Sequence, residues 1–324
     1  MAVSASVLAG SASSASGSSA TRPNGSPRAD DPLAEGLSLG IYEKALRGPA
    51  PVTPPQWRDF LAQVAQGGFS FLDLSIDESP EREARLDWSP EQWRAVRRAA
   101  EDAGVMIGGI CLSIHRRIAP GSADPATRQR AREVMAQGLH ACHEVGAPVL
   151  QIAGYYCFYE EPGPDSARWY ADLLVESVPL AARLGVVMGI ENVDGVGVTS
   201  ITRAMELVEE IDSPFLQVYP DLGNIAEQGL DPRVEIPAGR GHMVAMHAKD
   251  VRRGEPRRVE MGTGIVDWDL SFSLLADQGW AGRLMIEMWN DDAPDSVARC
   301  VAARSFIEER ARAAGIAIVG PESP

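Results

Sequence analysis

Val244-Ala245-Met246-His247-Ala248-Lys249-Asp250 is the stretch from which the rest of the chain can be read. Its short apolar run predicts a buried strand, which ends in a histidine followed by a lysine and an aspartate. Three further segments follow the same plan, at residues 186–191, 216–221 and 284–287. Each brings one side chain that can bind a metal ion to the C-terminal end of a predicted strand. We therefore expect four neighbouring strand ends to share one site, formed by Glu191, Asp221, His247 and Glu287.

Predicted strands and helices alternate along the chain from residue 37 onward. The predicted strands cover residues 37–42, 69–76, 105–112, 148–153, 186–191, 215–220, 243–248 and 283–288. Helical segments lie between them, and several end at a glycine, such as Gly104, Gly146 and Gly185. Alternation of this kind indicates a parallel sheet with its helices on the outside. Eight units in roughly 250 to 290 residues predict a closed (β/α)8 TIM barrel, here over residues 37–315.

An open doubly wound sheet is the competing fold. It usually has a glycine-rich phosphate-binding turn after its first strand, and Gly40-Ile41-Tyr42-Glu43 lacks that pattern. Both ends of the chain are predicted to lie outside the barrel. Residues 1–36 are rich in Ser, Ala and Gly and are predicted to be disordered, because they bury too little apolar surface to offset their ordering entropy. Residues 316–324 are predicted to form a flexible C-terminal tail.

The composition excludes several classes of partner. A formal net charge of −15 argues against nucleic acid and against anionic membranes, because phosphate groups are bound by Lys and Arg surfaces. No apolar run approaches the roughly 18 residues of a membrane-spanning helix. The four cysteines lack CxxC spacing and are expected to be reduced thiols in a cytoplasmic protein. A small anionic substrate remains compatible with this charge.

The strand-end carboxylates predict a metal ion. Three carboxylates at the ends of buried strands would repel one another, and a divalent cation removes that repulsion. Together with one imidazole they suit Mn²⁺, Mg²⁺, Co²⁺ or Zn²⁺, and the sequence does not choose among them. At the mouth of a TIM barrel, strand-end loops also contact the substrate. The candidate substrate contacts in those loops are Lys44, His115, Arg116, Tyr155, Lys249 and Trp289.

Several motifs, in chain order, carry a family resemblance. They are Leu39-Gly40-Ile41-Tyr42-Glu43-Lys44-Ala45-Leu46, Leu86-Asp87-Trp88-Ser89, Cys111-Leu112-Ser113 with His115-Arg116-Arg117, residues 151–155, residues 219–224, and Ile286-Glu287-Met288-Trp289. Through them the chain resembles the L-ribulose-5-phosphate 3-epimerases, also called L-xylulose-5-phosphate 3-epimerases, within the xylose isomerase-like barrels. The resemblance spans residues 37–315. Asn192-Val193 and Val251-Arg252-Arg253 depart from the family pattern, in loops that touch substrate in such barrels.

The resemblance implies an activity. It implies metal-dependent epimerisation at C3 of a ketopentose phosphate, with Glu191 and Glu287 removing and returning a proton through an enediolate. It also implies a homo-oligomer, a dimer or larger. The alternatives are an isomerase of sugars or sugar phosphates, a free-ketose 3-epimerase on the same barrel, and a non-catalytic barrel that binds metal or sugar. A zinc endonuclease acting on DNA is disfavoured, since the chain has five histidines and a strongly negative charge.

Overall fold

Parallel strands pair with their sequence neighbours to form the centre of the molecule. The computed structural model describes residues 36–320, so the predicted disordered segment lies outside the described residues except for its last residue. The barrel strands are β1 (Leu37–Tyr42), β2 (Phe71–Ser75), β3 (Met106–Cys111), β4 (Val149–Ala153), β5 (Val187–Glu191), β6 (Leu216–Val218), β7 (Met246–Ala248) and β8 (Gly282–Ile286). They follow the order β6-β5-β4-β3-β2-β1-β8-β7, with every pair parallel.

Isolated bridges between β6 and β7 close this sheet into a barrel. Parallel bridges join Val218 to Met243 and Asp221 to His247. The Val218 amide donates to the His242 carbonyl at 3.0 Å, and the His247 amide donates to the Pro220 carbonyl at 2.7 Å. The predicted TIM barrel is therefore confirmed, and β6 and β7 are three residues long because their pairing is broken into single bridges.

Helices cover the outside of the barrel. They are α1 (Pro54–Gln66), α2 (Pro80–Glu83), α3 (Pro90–Ala103), α4 (Pro125–Val145), α5 (Ser166–Leu184), α6 (Ile201–Ile211), α7 (Leu222–Glu227), α8 (Pro232–Ala238), α9 (Trp268–Asp277) and α10 (Ser296–Ala313). The Ser89 hydroxyl caps α3 by accepting from the Gln92 amide, and a proline follows at the first helical position. Gly104, Gly146 and Gly185 end α3, α4 and α5 in the left-handed conformation, which costs glycine little. Within residues 36–320, no helix combines the length and the apolar character needed to cross a bilayer.

Apolar side chains fill both faces of the barrel wall. The larger cluster lies between strands and helices, and a smaller one, which includes Phe71 and Met285, lies inside the barrel. Gly40 and Gly108 flank Phe71 on the neighbouring strands, and a Cβ at either position would overlap its ring. The four cysteines are free and buried, in agreement with the prediction of reduced thiols.

The C-terminal segment differs from its prediction. Ile318–Val319, inside the predicted flexible tail, forms a short strand β9 that pairs in parallel with Leu37 and Ser38 of β1. The Leu37 amide also donates to the Ala317 carbonyl at 2.8 Å. Residues 316–320 thus extend the sheet at the N-terminal end of β1, and residues 321–324 lie outside the described part of the chain.

Candidate active site

The four predicted metal ligands meet at the C-terminal mouth of the barrel. Glu191 is the last residue of β5, His247 lies in β7, and Glu287 directly follows β8. Asp221 is the N-cap of α7, where its carboxylate accepts from the Asn224 amide at 3.0 Å. All four side chains are buried, and one ligand atom from each lies within 4.8 Å of the others.

His247 stands at the centre of this cluster. Its Nδ1 atom lies 3.0 Å from Glu191 Oε1, 3.6 Å from Glu287 Oε2 and 3.8 Å from Asp221 Oδ2. Lys249, two residues further along, places its ammonium 2.8 Å from Asp221 Oδ2 and 3.6 Å from Glu287 Oε2. β7 and the residue that follows it therefore supply both an imidazole and a cation to the same group of carboxylates.

The charges of the cluster shift the ionisation of its members. Burial opposes ionisation of Asp221, but the Lys249 ammonium and the His247 imidazole outweigh burial and hold the pKa of Asp221 below its ordinary value. Burial raises the pKa of Glu287, and Lys249 and His247 offset only part of that effect. Burial disfavours the charged form of His247, yet Glu287 and Glu191 raise its pKa well above the usual range. The pKa values of Asp221 and Glu287 thus shift in opposite directions, and the Lys249 ammonium lies closer to Asp221 than to Glu287.

A divalent metal ion fits this arrangement. Metal–ligand distances of about 2 Å place the ligand atoms of one ion roughly 3 to 4 Å apart. The distances from His247 Nδ1 to the three carboxylates, 3.0 to 3.8 Å, fall in this range. Glu287 Oε2 is buried and accepts no hydrogen bond from the residues that the structure describes. Carboxylate and imidazole donors of this kind bind several divalent ions, and the donor set does not distinguish them.

Amide side chains orient two of the carboxylates. Gln151, on β4, donates through Nε2 to Glu191 Oε2. The Asn192 side chain forms two hydrogen bonds with the backbone of Asp221. Its Nδ2 donates to the Asp221 carbonyl at 3.0 Å, and its Oδ1 accepts from the Asp221 amide at 2.8 Å. Asn224 Nδ2 donates to Asp221 Oδ2 at 3.0 Å and to the Asn192 carbonyl at 2.8 Å. Glu191 and Asp221 are thus held in place by contacts within the protein.

A cleft opens above the cluster, with about 420 Å³ of space that includes its open mouth. Its walls come from the loops after most of the strands. The lining residues are Tyr42, Lys44, Ser113, Arg116, Ala153, Tyr155, Glu191, Asn224, Lys249, Arg257, Glu287 and Trp289. Five of the six predicted substrate contacts are among them, namely Lys44, Arg116, Tyr155, Lys249 and Trp289.

His115, the sixth predicted substrate contact, is not among these lining residues. Its ring is 2% exposed, and Nε2 lies 3.2 Å from the Ala131 carbonyl of α4. Burial lowers the pKa of His115 to about 4, so the ring is neutral at physiological pH. The predicted contact is replaced by a packing role, because the 3-10 turn Ser113–Arg116 directs Arg116 to the cleft and His115 to the helix layer.

Arg257 is a cleft residue that the sequence did not reveal. It lies in the long loop between β7 and α9, where its Nη1 is 3.2 Å from Asp194 Oδ2 and its Nη2 donates to the Tyr155 hydroxyl at 3.3 Å. Its guanidinium carbon is 6.0 Å from the centre of the Trp289 ring. The loop carries several arginines in Val251-Arg252-Arg253 and Arg257-Arg258, and nothing in their spacing singles out the one that reaches the cleft.

Known proteins with similar sequences identify the family of this chain. The family model described as a xylose isomerase-like TIM barrel matches residues 61–310. L-ribulose-5-phosphate 3-epimerase UlaE from Shigella boydii is 38% identical over 284 residues, which cover 88% of this chain and 98% of that protein. The protein of the same name from Escherichia coli O157:H7 matches to the same extent. The chain belongs to the L-ribulose-5-phosphate 3-epimerase family.

Membership of this family makes the protein a sugar epimerase built on the xylose isomerase-like barrel. Solved structures show the same fold at lower identity. An L-ribulose 3-epimerase superposes with a TM-score of 0.71 at 19% identity, covering 86% of this chain and 95% of that one. D-psicose 3-epimerase from Clostridium cellulolyticum H10 has a TM-score of 0.69 at 17% identity, covering 85% and 99%. At these identities the structures support the fold, and the epimerase family rests on the sequence relatives.

Proposed function

We propose that the protein interconverts L-ribulose 5-phosphate and L-xylulose 5-phosphate by inverting C3. The observation that carries this proposal is the placement of two carboxylates, Glu191 and Glu287, on the walls of one cleft beside a buried Asp221–His247 pair. Relatives that are 38% identical over nearly their whole length bear the name of this reaction.

Access to the cleft separates the roles of the four clustered side chains. Glu191 and Glu287 line the cleft, whereas Asp221 and His247 are 0% and 1% exposed and are not among its lining residues. A side chain that reaches the substrate can transfer a proton, and one behind the wall can only hold the metal ion. We therefore assign proton transfer to the two glutamates and metal binding to all four residues.

Inversion requires proton transfer on both faces of C3. One group removes the proton from one face, and a second group returns a proton to the opposite face of the enediolate. Glu191 comes from β5 and Glu287 from β8, with β6 and β7 between them, so the two carboxylates enter the cleft from different sides. A divalent ion held by the cluster would supply Lewis-acid stabilisation of the negative charge on the ketose oxygens.

Positive charge in the cleft suits a phosphorylated ketose. Lys44, Arg116 and Arg257 come from three different strand-end loops and all line the cleft. Guanidinium and ammonium groups form strong, charge-assisted hydrogen bonds with phosphate oxygens. Trp289 and Tyr42, whose rings meet edge to face at 5.9 Å, form an apolar wall for the carbon chain.

Epimerisation in D₂O tests this proposal. The Mn²⁺-loaded enzyme is expected to convert L-ribulose 5-phosphate to L-xylulose 5-phosphate with deuterium incorporated at C3. Glu191→Gln and Glu287→Gln should each lower kcat by about 10²- to 10⁴-fold, measured at saturating metal with metal content determined for each variant. Glu176→Gln, at an exposed position on α5, is the matched control and should retain native turnover.

Other outcomes would identify other functions. An aldose product, or label at C1 or C2, would show an isomerase. Turnover of free L-ribulose that equals turnover of its phosphate would show a free-ketose epimerase. Binding of the ketose phosphate in calorimetry without any turnover would show a sugar-binding barrel, and full epimerisation without label at C3 would contradict the two-base mechanism. Assembly into dimers or larger oligomers remains a prediction that sedimentation velocity can test.

A further inference from the structure

A completely buried ion pair lies behind the part of the cleft wall formed by Tyr42 and Lys44, at the C-terminal end of β1. Glu43 and Arg85 are both 0% exposed and share two hydrogen bonds, Nη1 to Oε2 at 2.6 Å and Nη2 to Oε1 at 2.8 Å. Arg82 donates from Nε to Glu43 Oε1 at 3.1 Å. The rings of Trp57 and Trp88 lie 5.2 and 5.6 Å from the Arg85 guanidinium carbon. The pair is therefore enclosed by aromatic rings and a second cation.

Both partners of the ion pair form hydrogen bonds with the backbone of Ser75. The Ser75 amide donates to Glu43 Oε2 at 2.9 Å, and Arg85 Nη1 donates to the Ser75 carbonyl at 2.8 Å. Ser75 is the last residue of β2, and Glu43 is the first residue after β1. The ion pair thus ties the loop that follows β1 to the C-terminal end of β2.

This tie reaches the cleft through the neighbours of Glu43. Tyr42 and Lys44 flank Glu43 in the sequence, and both line the cleft. The Glu43 side chain points away from the cleft, toward Arg85. The Tyr42 hydroxyl donates to Ser75 Oγ at 3.0 Å. Lys44 forms an ion pair with Asp77, whose carboxylate accepts from Ser75 Oγ at 3.3 Å. Ser75 therefore anchors both cleft side chains, and the buried pair anchors Ser75.

A buried ion pair contributes little to the stability of a fold, because the cost of desolvating the two charges cancels much of their attraction. Proteins in which apolar side chains replace such a pair are often equally stable. The location of this pair between two cleft residues indicates a different contribution. We propose that the Glu43–Arg85 pair is a positioning device that orients Tyr42 and Lys44 toward the bound ketose phosphate. The inference rests on the proposed function for the identity of that substrate, and on the contacts of the buried pair for the rest.

A double variant separates positioning from stability. Removing one partner would leave an uncompensated buried charge, so the test uses Glu43→Met together with Arg85→Met. We expect this variant to remain folded but to melt below the native protein, because Arg82 and the Ser75 amide and carbonyl lose their partners. KM for L-ribulose 5-phosphate should rise about tenfold, as for loss of one charge-assisted contact, with a smaller fall in kcat. Native KM in a folded double variant would overturn the proposal.

Two further variants complete the kinetic test. Arg85→Lys keeps the buried charge but loses the planar fork that reaches Glu43 and Ser75 together, and its KM should lie between the native and double-variant values. Adding Lys44→Met to the double variant should raise KM by much less than Lys44→Met does in the native protein, because both changes remove the same contact. Full additivity would contradict positioning of Lys44. Arg94→Met with Glu144→Met, an exposed ion pair between α3 and α4, is the matched control and should leave KM unchanged.

Hydrogen exchange tests the device without any substrate. In the double variant and in Arg85→Lys, the amides of residues 42–46 and 75–77 should lose protection while those of β4 and β5 keep it. Unchanged protection at residues 42–46 and 75–77 would overturn the proposal. Absence of native turnover on the ketose phosphate would contradict the proposed function alone, since the exchange result does not depend on activity.

Discussion

Single amide side chains set the direction of two of the proposed metal-binding carboxylates. Asn192 is 1% exposed, lies behind the cleft and touches no predicted substrate position. Its two hydrogen bonds with the backbone of Asp221 join the end of β5 to the start of α7. Asn192 is also one of the residues expected from the sequence to depart from the family pattern. Such a departure lies behind the site and not in contact with the substrate.

Replacing Asn192 with Ala should weaken the metal site more than the catalytic step. Loss of a partner behind a metal ligand typically lowers metal affinity by about 10- to 100-fold, and we expect a decrease of this size. Turnover at saturating metal should fall by a smaller factor, since the two glutamates remain in the cleft. Calorimetric titration with Mn²⁺ and kcat at saturating Mn²⁺ measure the two effects.

Gln228→Ala is the matched control for this prediction. Gln228 Nε2 donates to the carbonyls of Val193 and Gly195, in the loop that follows Asn192, and does not contact Asp221. This variant should keep native metal affinity. An equal loss of metal affinity in both variants would mean that the loop as a whole supports the site, and not the two hydrogen bonds between Asn192 and the backbone of Asp221.

At the scale of elements, the short 3-10 turn after β3 divides its side chains between the cleft and the helix layer. Arg116 lines the cleft, where its guanidinium carbon is 5.4 Å from the centre of the Phe158 ring. The His115 ring points to the helix layer, where its Nε2 contacts the backbone of α4. A buried neutral histidine makes the stability of this region dependent on pH.

Stability should fall between neutral and mildly acidic pH because of His115. Its folded pKa is about 4, whereas an unfolded histidine titrates near 6.5, so below about pH 6.5 the unfolded chain binds a proton that the folded chain does not. Linkage then predicts that this residue removes about 2 kcal/mol of unfolding free energy between pH 7 and pH 5. Urea unfolding of native protein and His115→Gln at both pH values measures the difference, which should be smaller in the variant. His140→Gln, exposed on α4, should behave as native, and parallel pH profiles for all three proteins would refute the assignment.

The order and type of most elements followed from the sequence, because glycine stops, capping residues and apolar runs act locally. β1 has its predicted bounds, and α3, α4 and α5 end at the glycines at which their ends were predicted, Gly104, Gly146 and Gly185. α7 was missed, since Leu222-Gly223-Asn224 has weak helix propensity and its start depends on the cap from Asp221. The direction of His115 and the choice of Arg257 depend on how loops pack against one another, which no local pattern records.

In the whole molecule, the barrel is closed most weakly where the proposed metal ligands meet. β4 and β5 pair over five residues, whereas β6 and β7 are joined by isolated bridges. One of those bridges joins Asp221 to His247. Two of the four proposed metal ligands therefore lie on opposite sides of the junction between β6 and β7, which we call the seam. A metal ion bound to both would link β6 and β7 through their side chains. Through that ion, the proposed catalytic site would also help to close the barrel.

Removal of the metal ion should loosen this seam selectively. Metal at about 100 times its Kd stabilises the folded state by about 2.7 kcal/mol, which corresponds to a fall of roughly 5 to 10 °C in Tm when a chelator removes it. Hydrogen exchange should quicken at the amides that cross the seam, those of Val218, Val244 and His247, while amides between β4 and β5 change little. Asp221→Asn, which removes one ligand without changing the size of the side chain, should lose the response to chelator. Equal acceleration of exchange around the whole barrel would show that the metal ion stabilises the fold without acting as a link between β6 and β7.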